Sequence, residues 1–205
     1  MSKLVERFGP DERFPHMTMA ICFILLAVSG MGLFSKDLSF LTAVMGGPFI
    51  AKWLHLVAGS VFACCNLYFI FRWRSCMKIK EHDIAWLKEG GGLFSRGAHG
   101  KLPPSGRFNG GQKVLFRVTM SLGLLLAVTG LFIWFPKILP KALMAWLYPL
   151  HALLALGLMT TMLAHIYMAI WFVPGSFRSM WGDGMVEEAW MKYHHRKYYD
   201  YKTTE

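Results

Sequence analysis

The sequence predicts an all-α integral membrane protein: a four-helix bundle with cytoplasmic N- and C-termini and a C-terminal helix that is interfacial or cytoplasmic. Three observations predict this class. The 205 residues are 55% apolar, with a mean hydropathy of +0.38, which is high for a soluble domain. Four runs without acidic or basic residues each contain 18 or more residues, about the length that crosses a bilayer. Lys and Arg are concentrated in alternate segments between these runs.

The four charge-free runs define the predicted spans. Lipid offers no partners to backbone polar groups, and the runs lack the alternation of barrel strands, so we expect helices. One membrane domain over 1–205 is predicted, with a cytoplasmic loop at 72–117, a tail at 174–205 and spans at about 17–34, 53–71, 118–135 and 146–173. The aromatic and charged tail fits either a helix at the membrane surface or a plain cytoplasmic extension.

The net charge of +10 indicates membrane topology and not nucleic-acid binding. Of the 22 Lys and Arg, 18 lie in 1–15, 72–117 and 178–202, and the other four lie in the two remaining connections. Cytoplasmic loops of membrane proteins carry the excess of basic residues. We therefore expect both termini and the central loop in the cytoplasm, with lipid and not nucleic acid as the surrounding partner.

Four of the eight histidines lie in or beside the spans, where an ionisable side chain usually has a function. They are His16, His55, His151 and His165. The last two share one helix, about 40° from the same face and roughly 21 Å apart along its axis. This spacing predicts two stacked cofactors, one near each membrane surface. The remaining histidines are predicted to be solvated polar residues: His82, His99, His194 and His195.

Depth in the membrane pairs His55 with His151 at the outer side and His16 with His165 at the inner side. Zinc would need four converging ligands, and neither pair has a Cys or an acidic residue beside it. A haem b takes two axial imidazoles between apolar walls, which a helix bundle provides. We therefore predict two haem b groups. The alternative for each histidine alone is a hydrogen-bonded interior imidazole.

A small residue follows each of these histidines by four positions, on the same helix face. This would leave room for a porphyrin, although small residues also serve ordinary packing of membrane helices. The four are Ala20, Gly59, Ala155 and Ala169.

Several short strings together resemble one known family, the gamma or cytochrome b subunit of membrane-bound formate dehydrogenase. They are Glu12-Arg13-Phe14-Pro15-His16, Gly106-Arg107-Phe108-Asn109-Gly110-Gly111-Gln112-Lys113, Ala164-His165-Ile166-Tyr167 and Pro174-Gly175-Ser176-Phe177-Arg178-Ser179-Met180. The resemblance implies a subunit of the bacterial inner membrane with two b haems. It assigns His55 and His151 to the outer haem, and His16 and His165 to the inner haem.

The same resemblance implies a quinone site at Asn109, Gly111 and Gln112, which would take menaquinone or ubiquinone. It also implies an extracytoplasmic iron–sulfur subunit as electron donor and, through it, a molybdenum- or tungsten-dependent catalytic subunit, in a complex whose oligomeric state stays open. From the residues alone, Asn109 and Gln112 also fit a capping box at the start of the third span, and the two roles are compatible.

Two other functions stay open at the level of sequence. One is the cytochrome b of a membrane-bound hydrogenase or of another periplasmic oxidoreductase. The other, from a different class, is a membrane anchor without a cofactor. In the favoured interpretation this chain transfers electrons and reduces quinone, it contains no catalytic residue for the oxidised substrate, and that oxidation occurs on a partner subunit.

Overall fold

The computed structural model describes residues 3–90 and 104–204, and this part of the chain is mainly helical. The helices are α1 Pro10–Phe34, α2 Phe40–Val44, α3 Pro48–Trp73, α4 Glu81–Lys88, α5 Gly110–Trp134, α6 Lys141–Tyr167, α7 Ser176–Trp181, α8 Glu188–His194 and α9 Arg196–Thr204, with a π-helical turn at Met168–Phe172 after α6. The strands are β1 Leu4–Glu6 and β2 Met185–Glu187. Four helices, α1, α3, α5 and α6 with its π-helical extension, are long and apolar enough to cross a membrane. The predicted all-α membrane class is confirmed.

Each long helix begins five to eight residues before the charge-free run that predicted it. Pro10 and Pro48 occupy the first positions of α1 and α3, where proline loses no intrahelical hydrogen bond. Gly46 and Gly47, with φ of 94° and 103°, form the turn before α3, because only glycine adopts positive φ without strain. A helix thus starts at its own capping signals and not at its first apolar residue.

The chain divides into two compact units. We call Phe14–Phe69 with Thr119–Ala164 the helix unit, and the described residues of Met1–Arg13, Ile70–Val118 and His165–Glu205 the terminal unit. Single-domain organisation over 1–205 stays a prediction.

The helix unit is held together by apolar side chains from all four long helices. Its most buried members are Cys22, Ala58, Phe62 and Leu158, and partly buried residues of α5 such as Leu122 pack against them. Large apolar side chains on the outer faces of these helices, such as Leu153 and Leu163, remain exposed. This distribution is typical of helices that face lipid.

The terminal unit contains the two strands, which the sequence analysis did not predict. β1 pairs antiparallel with β2, with Val5 opposite Val186. The predicted loop 72–117 contains α4, and the predicted tail contains three short helices, α7 to α9. His99, in the same predicted loop, lies outside the described residues. The strands join the two ends of the chain, so the tail is not a plain extension.

Candidate functional site

His55 of α3 and His151 of α6 face each other in the helix unit. Their ring centroids are 6.5 Å apart and their planes differ by 61°. The structure therefore brings together the two histidines that the sequence paired as the outer haem ligands. Each lies in the first half of its helix, the half that the sequence predicts to be at the outer side.

The separation of these rings fits the two axial ligands of one haem. An iron atom about 2.0–2.1 Å from one nitrogen of each ring, the usual length of a metal–imidazole bond, would hold opposed ring centroids roughly 6.4 Å apart. The observed separation is 6.5 Å. The residues present therefore fit a haem, whose iron they would hold through two neutral imidazoles.

A hydroxyl group from a neighbouring helix lies at the Nδ1 atom of each ring. Ser29 Oγ of α1 is 2.8 Å from His55 Nδ1, and Thr129 Oγ1 of α5 is 2.7 Å from His151 Nδ1. Both hydroxyl residues are buried. With Nδ1 engaged, Nε2 is the nitrogen that can bind a metal, as is usual for a histidine held by an outer partner.

A glycine follows each of these hydroxyl residues and lies against the same ring. A Cβ atom added to Gly30 would be 3.3 Å from His55 Cε1, and one added to Gly130 would be 3.4 Å from His151 Cε1. A Cβ atom added to Gly59, one of the small residues expected beside a porphyrin, would be 3.6 Å from Leu26 Cδ2. The glycines that contact the imidazoles are thus on the helices that carry no outer ligand.

These two pairs were not predicted from the sequence, although a signal was present. Ser29-Gly30 lies five residues before the end of α1, and Thr129-Gly130 lies five residues before the end of α5. A hydroxyl residue followed by glycine at matching depth in both helices is the pattern that could have identified them.

The two histidines of the inner pair belong to different units of the chain. His16 belongs to the helix unit, where its ring meets Phe69 edge-on at a centroid distance of 6.4 Å. His165 belongs to the terminal unit. Their pairing around an inner haem therefore stays a prediction from the sequence.

Asn109 and Gln112 form a capping box at the start of α5. The backbone N–H of Gln112 donates to Asn109 Oδ1 at 2.9 Å, and the backbone N–H of Asn109 donates to Gln112 Oε1 at 3.0 Å. This is the structural role that the sequence left open beside quinone binding. The two side-chain oxygens are occupied by the cap.

Gly110 and Gly111 allow α4 to approach the start of α5. A Cβ on Gly110 would lie 2.6 Å from the backbone oxygen of Asp83, and one on Gly111 would lie 3.0 Å from two ring atoms of Trp86. Lys113 fixes this contact, because its Nζ donates to Asp83 Oδ2 at 2.6 Å inside the protein. The quinone residues implied by the resemblance thus lie where two helices pack closely, next to an aromatic ring.

A buried group of charges lies in the terminal unit, close to the strings that carry the resemblance. Arg107 binds Glu12, and Arg7 stacks on the rings of Phe8 and Phe108. Burial and, next, the positive charge of Arg107 lower the pKa of Arg7 to about 9.

His195 is part of this group, so its prediction as a solvated residue is wrong. Its side chain is 1% exposed, with Nδ1 at 3.0 Å from the carbonyl oxygen of Gly106 and Nε2 at 3.4 Å from Arg7 Nη2. Burial and then the charge of Arg7 hold the pKa of His195 well below its usual value. The same causes lower the pKa of His194 to about 4.

The known proteins that this chain resembles are all described as cytochrome b proteins. The model of the prokaryotic cytochrome b561 family matches residues 7–183. The "Formate dehydrogenase, cytochrome b556(fdo) subunit" of Escherichia coli K12 is 34% identical over 98% of this chain and 95% of the relative. The nitrate-inducible cytochrome b556(Fdn) subunit of that strain is 32% identical over 97% and 91%. The formate dehydrogenase cytochrome b556 subunit of Haemophilus influenzae is 32% identical over 95% and 82%. A cytochrome b carries haem b, and the chain belongs to the prokaryotic cytochrome b561 family, together with the formate dehydrogenase cytochrome b556 subunits that it resembles.

Proposed function

We propose that this chain is the dihaem cytochrome b subunit of a formate dehydrogenase-like complex, which passes electrons across a bacterial inner membrane to quinone. The observation that carries the proposal is the pair His55 and His151, whose rings are 6.5 Å apart. Each ring has its Nδ1 held by a buried hydroxyl. The names of the relatives support the kind of complex.

At the outer side, His55 and His151 would hold the first haem, which would act there as a one-electron carrier. The protein would supply two imidazole ligands whose Nδ1 atoms are held by hydroxyl groups, and ligand identity and outer hydrogen bonds are features that tune the reduction potential of a haem. At the inner side we assign the second haem to His16 and His165, on the strength of their depth in the sequence and of the family.

For quinone we propose Asn109, Gly111 and Gln112 at the start of α5. The capping box occupies the carbonyl oxygens of the two amides, so we assign their NH₂ groups as donors to a quinone carbonyl. Gly111 is assigned to the site from the resemblance, and its missing side chain brings the ring of Trp86 close to the same turn. The quinone takes its protons from the cytoplasm in this scheme, which rests on the distribution of basic residues.

The electron donor in this proposal is an iron–sulfur subunit on the outer side, which receives electrons from a molybdenum- or tungsten-dependent catalytic subunit. The names of the relatives favour a formate dehydrogenase-like complex over the cytochrome b of a hydrogenase or of another periplasmic oxidoreductase, whereas the iron–sulfur and catalytic subunits come from the resemblance. Membership of a cytochrome b family disfavours a cofactor-free membrane anchor.

The test is to purify the chain from its native membrane with the subunits that accompany it, and to measure haem b per chain by the pyridine haemochrome method. We expect two haems per chain, and we expect formate to reduce both before added quinone reoxidises them. One haem per chain would show that one of the two proposed histidine pairs does not bind haem. If formate left both haems oxidised and a donor of the hydrogenase class reduced them, the chain would belong to a hydrogenase-like complex and the proposal would be wrong.

A further inference from the structure

We propose that Ser29 and Thr129 are positioning residues that lower the reduction potential of the outer haem by polarising its two histidine ligands. The inference rests on the proposed role of His55 and His151 and deepens it, because it concerns residues that do not touch the iron. It follows from the direction of the hydrogen bonds, from their burial and from their occurrence on both sides of the site.

The direction of each hydrogen bond is fixed by the protein backbone. Ser29 Oγ donates to the carbonyl oxygen of Leu25 at 2.5 Å, and Thr129 Oγ1 donates to that of Leu125 at 2.8 Å. A hydroxyl group has one hydrogen, so each oxygen can only accept at the imidazole. The Nδ1–H groups of the two histidines are therefore the donors. This selects the tautomer whose Nε2 lone pair faces the metal.

Burial makes these bonds effective. Ser29 is 0% exposed and Thr129 is 6% exposed, so water is not there to replace either hydroxyl. Each chain of N–H, O–H and C=O groups ends on a backbone carbonyl, and hydrogen bonds in such a chain strengthen one another in a medium of low dielectric constant. An imidazole that donates from Nδ1 is a more basic ligand at Nε2.

The arrangement occurs twice, on two different helix pairs. α1 serves the histidine of α3, and α5 serves the histidine of α6, with distances of 2.8 and 2.7 Å. In both cases the next residue is a glycine whose missing side chain lets the ring edge come close. Ser and Thr on membrane helices commonly donate a hydrogen bond to the carbonyl four residues back. That bond alone does not explain why two such hydroxyl groups also lie at the two proposed ligands.

A more basic ligand stabilises ferric iron more than ferrous iron, so each hydroxyl lowers the potential of the outer haem. Outer partners of metal-bound histidines typically change metal affinity by about 10–100-fold. A tenfold change in the preference for ferric over ferrous iron corresponds to about 59 mV for a one-electron couple. A low potential suits a haem that must pass its electron onward.

The experiment is a redox titration of haem b in the purified complex, without formate or quinone, for wild type, Ser29→Ala, Thr129→Val and Thr129→Ser. Thr161→Val is the matched control, because Thr161 Oγ1 donates to the carbonyl oxygen of Gly157 at 2.7 Å and is not among the groups bonded to either ring. The electron paramagnetic resonance spectrum, which reports the relative orientation of the two imidazole planes, is recorded for each variant.

We expect Ser29→Ala and Thr129→Val each to raise the midpoint potential of one haem by an amount of the order of a tenfold change, and we expect Thr129→Ser and Thr161→Val to leave it unchanged. Loss of the outer haem in Thr129→Val, with full retention in Thr129→Ser, would also support the hydroxyl. Unchanged potentials in both hydroxyl-free variants, or equal haem loss in Thr129→Val and Thr129→Ser, would overturn the inference. If the wild-type titration shows fewer than two haems, the proposed dihaem function is wrong. If it shows two haems and the variants do not change their potentials, only this inference is wrong.

Discussion

Arg107 Nη2 donates to both carboxylate oxygens of Glu12, at 2.8 and 2.6 Å. The same carboxylate accepts a hydrogen bond from Trp73 Nε1 at 2.6 Å, and it is 1% exposed. This contact joins the first residue of the Glu12–His16 string, in the first turn of α1, with the string that leads into α5. The start of one motif that carries the resemblance is therefore held to a second such motif.

Replacement of Glu12 by Gln should destabilise the protein strongly. Removing one partner of a buried ion pair costs about 3–5 kcal/mol, because the other charge stays buried without compensation. Asp11→Asn is the matched control: Asp11 pairs with Arg72, but its side chain is 56% exposed, and exposed pairs contribute less than about 1 kcal/mol. Thermal unfolding in detergent should show a large loss for Glu12→Gln and a small one for Asp11→Asn. Equal losses would mean that the buried pair has no special role.

Acid should destabilise the terminal unit through His195. The folded-state pKa of this buried ring is lowered, so below its usual pKa of about 6.5 the unfolded chain takes up a proton that the folded chain does not. Stability is therefore complete above about pH 6.5 and falls on acidification, by up to about 1.4 kcal/mol per pH unit. Unfolding temperatures measured from pH 8 to pH 5 should fall less in His195→Asn than in wild type. Parallel curves would show that another group controls the acid response.

Gly130 should tolerate a methyl group poorly. A Cβ there would lie 3.4 Å from His151 Cε1, whereas a Cβ on Gly157 would lie 3.8 Å from Leu122 Cδ1. Overpacking costs about 1–3 kcal/mol, while alanine in an open helix position stabilises by up to about 1 kcal/mol over glycine. We expect Gly130→Ala to lose outer haem or shift its absorption band, and Gly157→Ala to keep both haems. The idea that the glycine makes room for the ligand ring fails if the two variants behave alike.

Asn109→Asp and Gln112→Glu separate the capping role from the quinone role. Both changes keep an oxygen that can accept the backbone N–H of the cap, but they remove the NH₂ donor. If the amides bind quinone, quinone reduction should fall about tenfold, the effect of one lost hydrogen bond of about 1.4 kcal/mol, with both haems and stability retained. The measurement is quinone reduction by the complex, beside haem content and unfolding temperature. Normal quinone turnover in both variants would show that the two amides cap the helix and do not bind quinone.

The four spans and the outer histidine pair could be predicted from the sequence because each rests on a pattern within single apolar runs: the length of the run, or the depth of a histidine in it. Absence of charge over a bilayer length identifies a span. The depth of His55 and His151 within their runs was enough to pair them. The capping box was also predicted as one of two roles, since Asn109 and Gln112 are only three residues apart.

The other features depend on residues that are far apart in the chain. His195 is buried by Gly106 and Arg7, which are 89 and 188 residues away. β1 and β2 have three residues each, too few to show an alternating pattern. Ser29 and Thr129 resembled ordinary hydroxyl residues of membrane helices, whose usual partner is their own backbone. Their second partner, the histidine ring, belongs to another helix, and in the sequence only the glycine that follows each of them at matching depth indicates it.

The most direct test of the central claim is the haem content of His55→Ala and His151→Ala, measured by the pyridine haemochrome method and by redox titration, with His82→Ala as control. Because the two rings are proposed to bind one iron from opposite sides, each variant should contain one haem per chain, and both should have lost the same haem of the wild-type titration. The control should retain two. Retention of two haems in either variant, or loss of a different haem in each, would contradict the account.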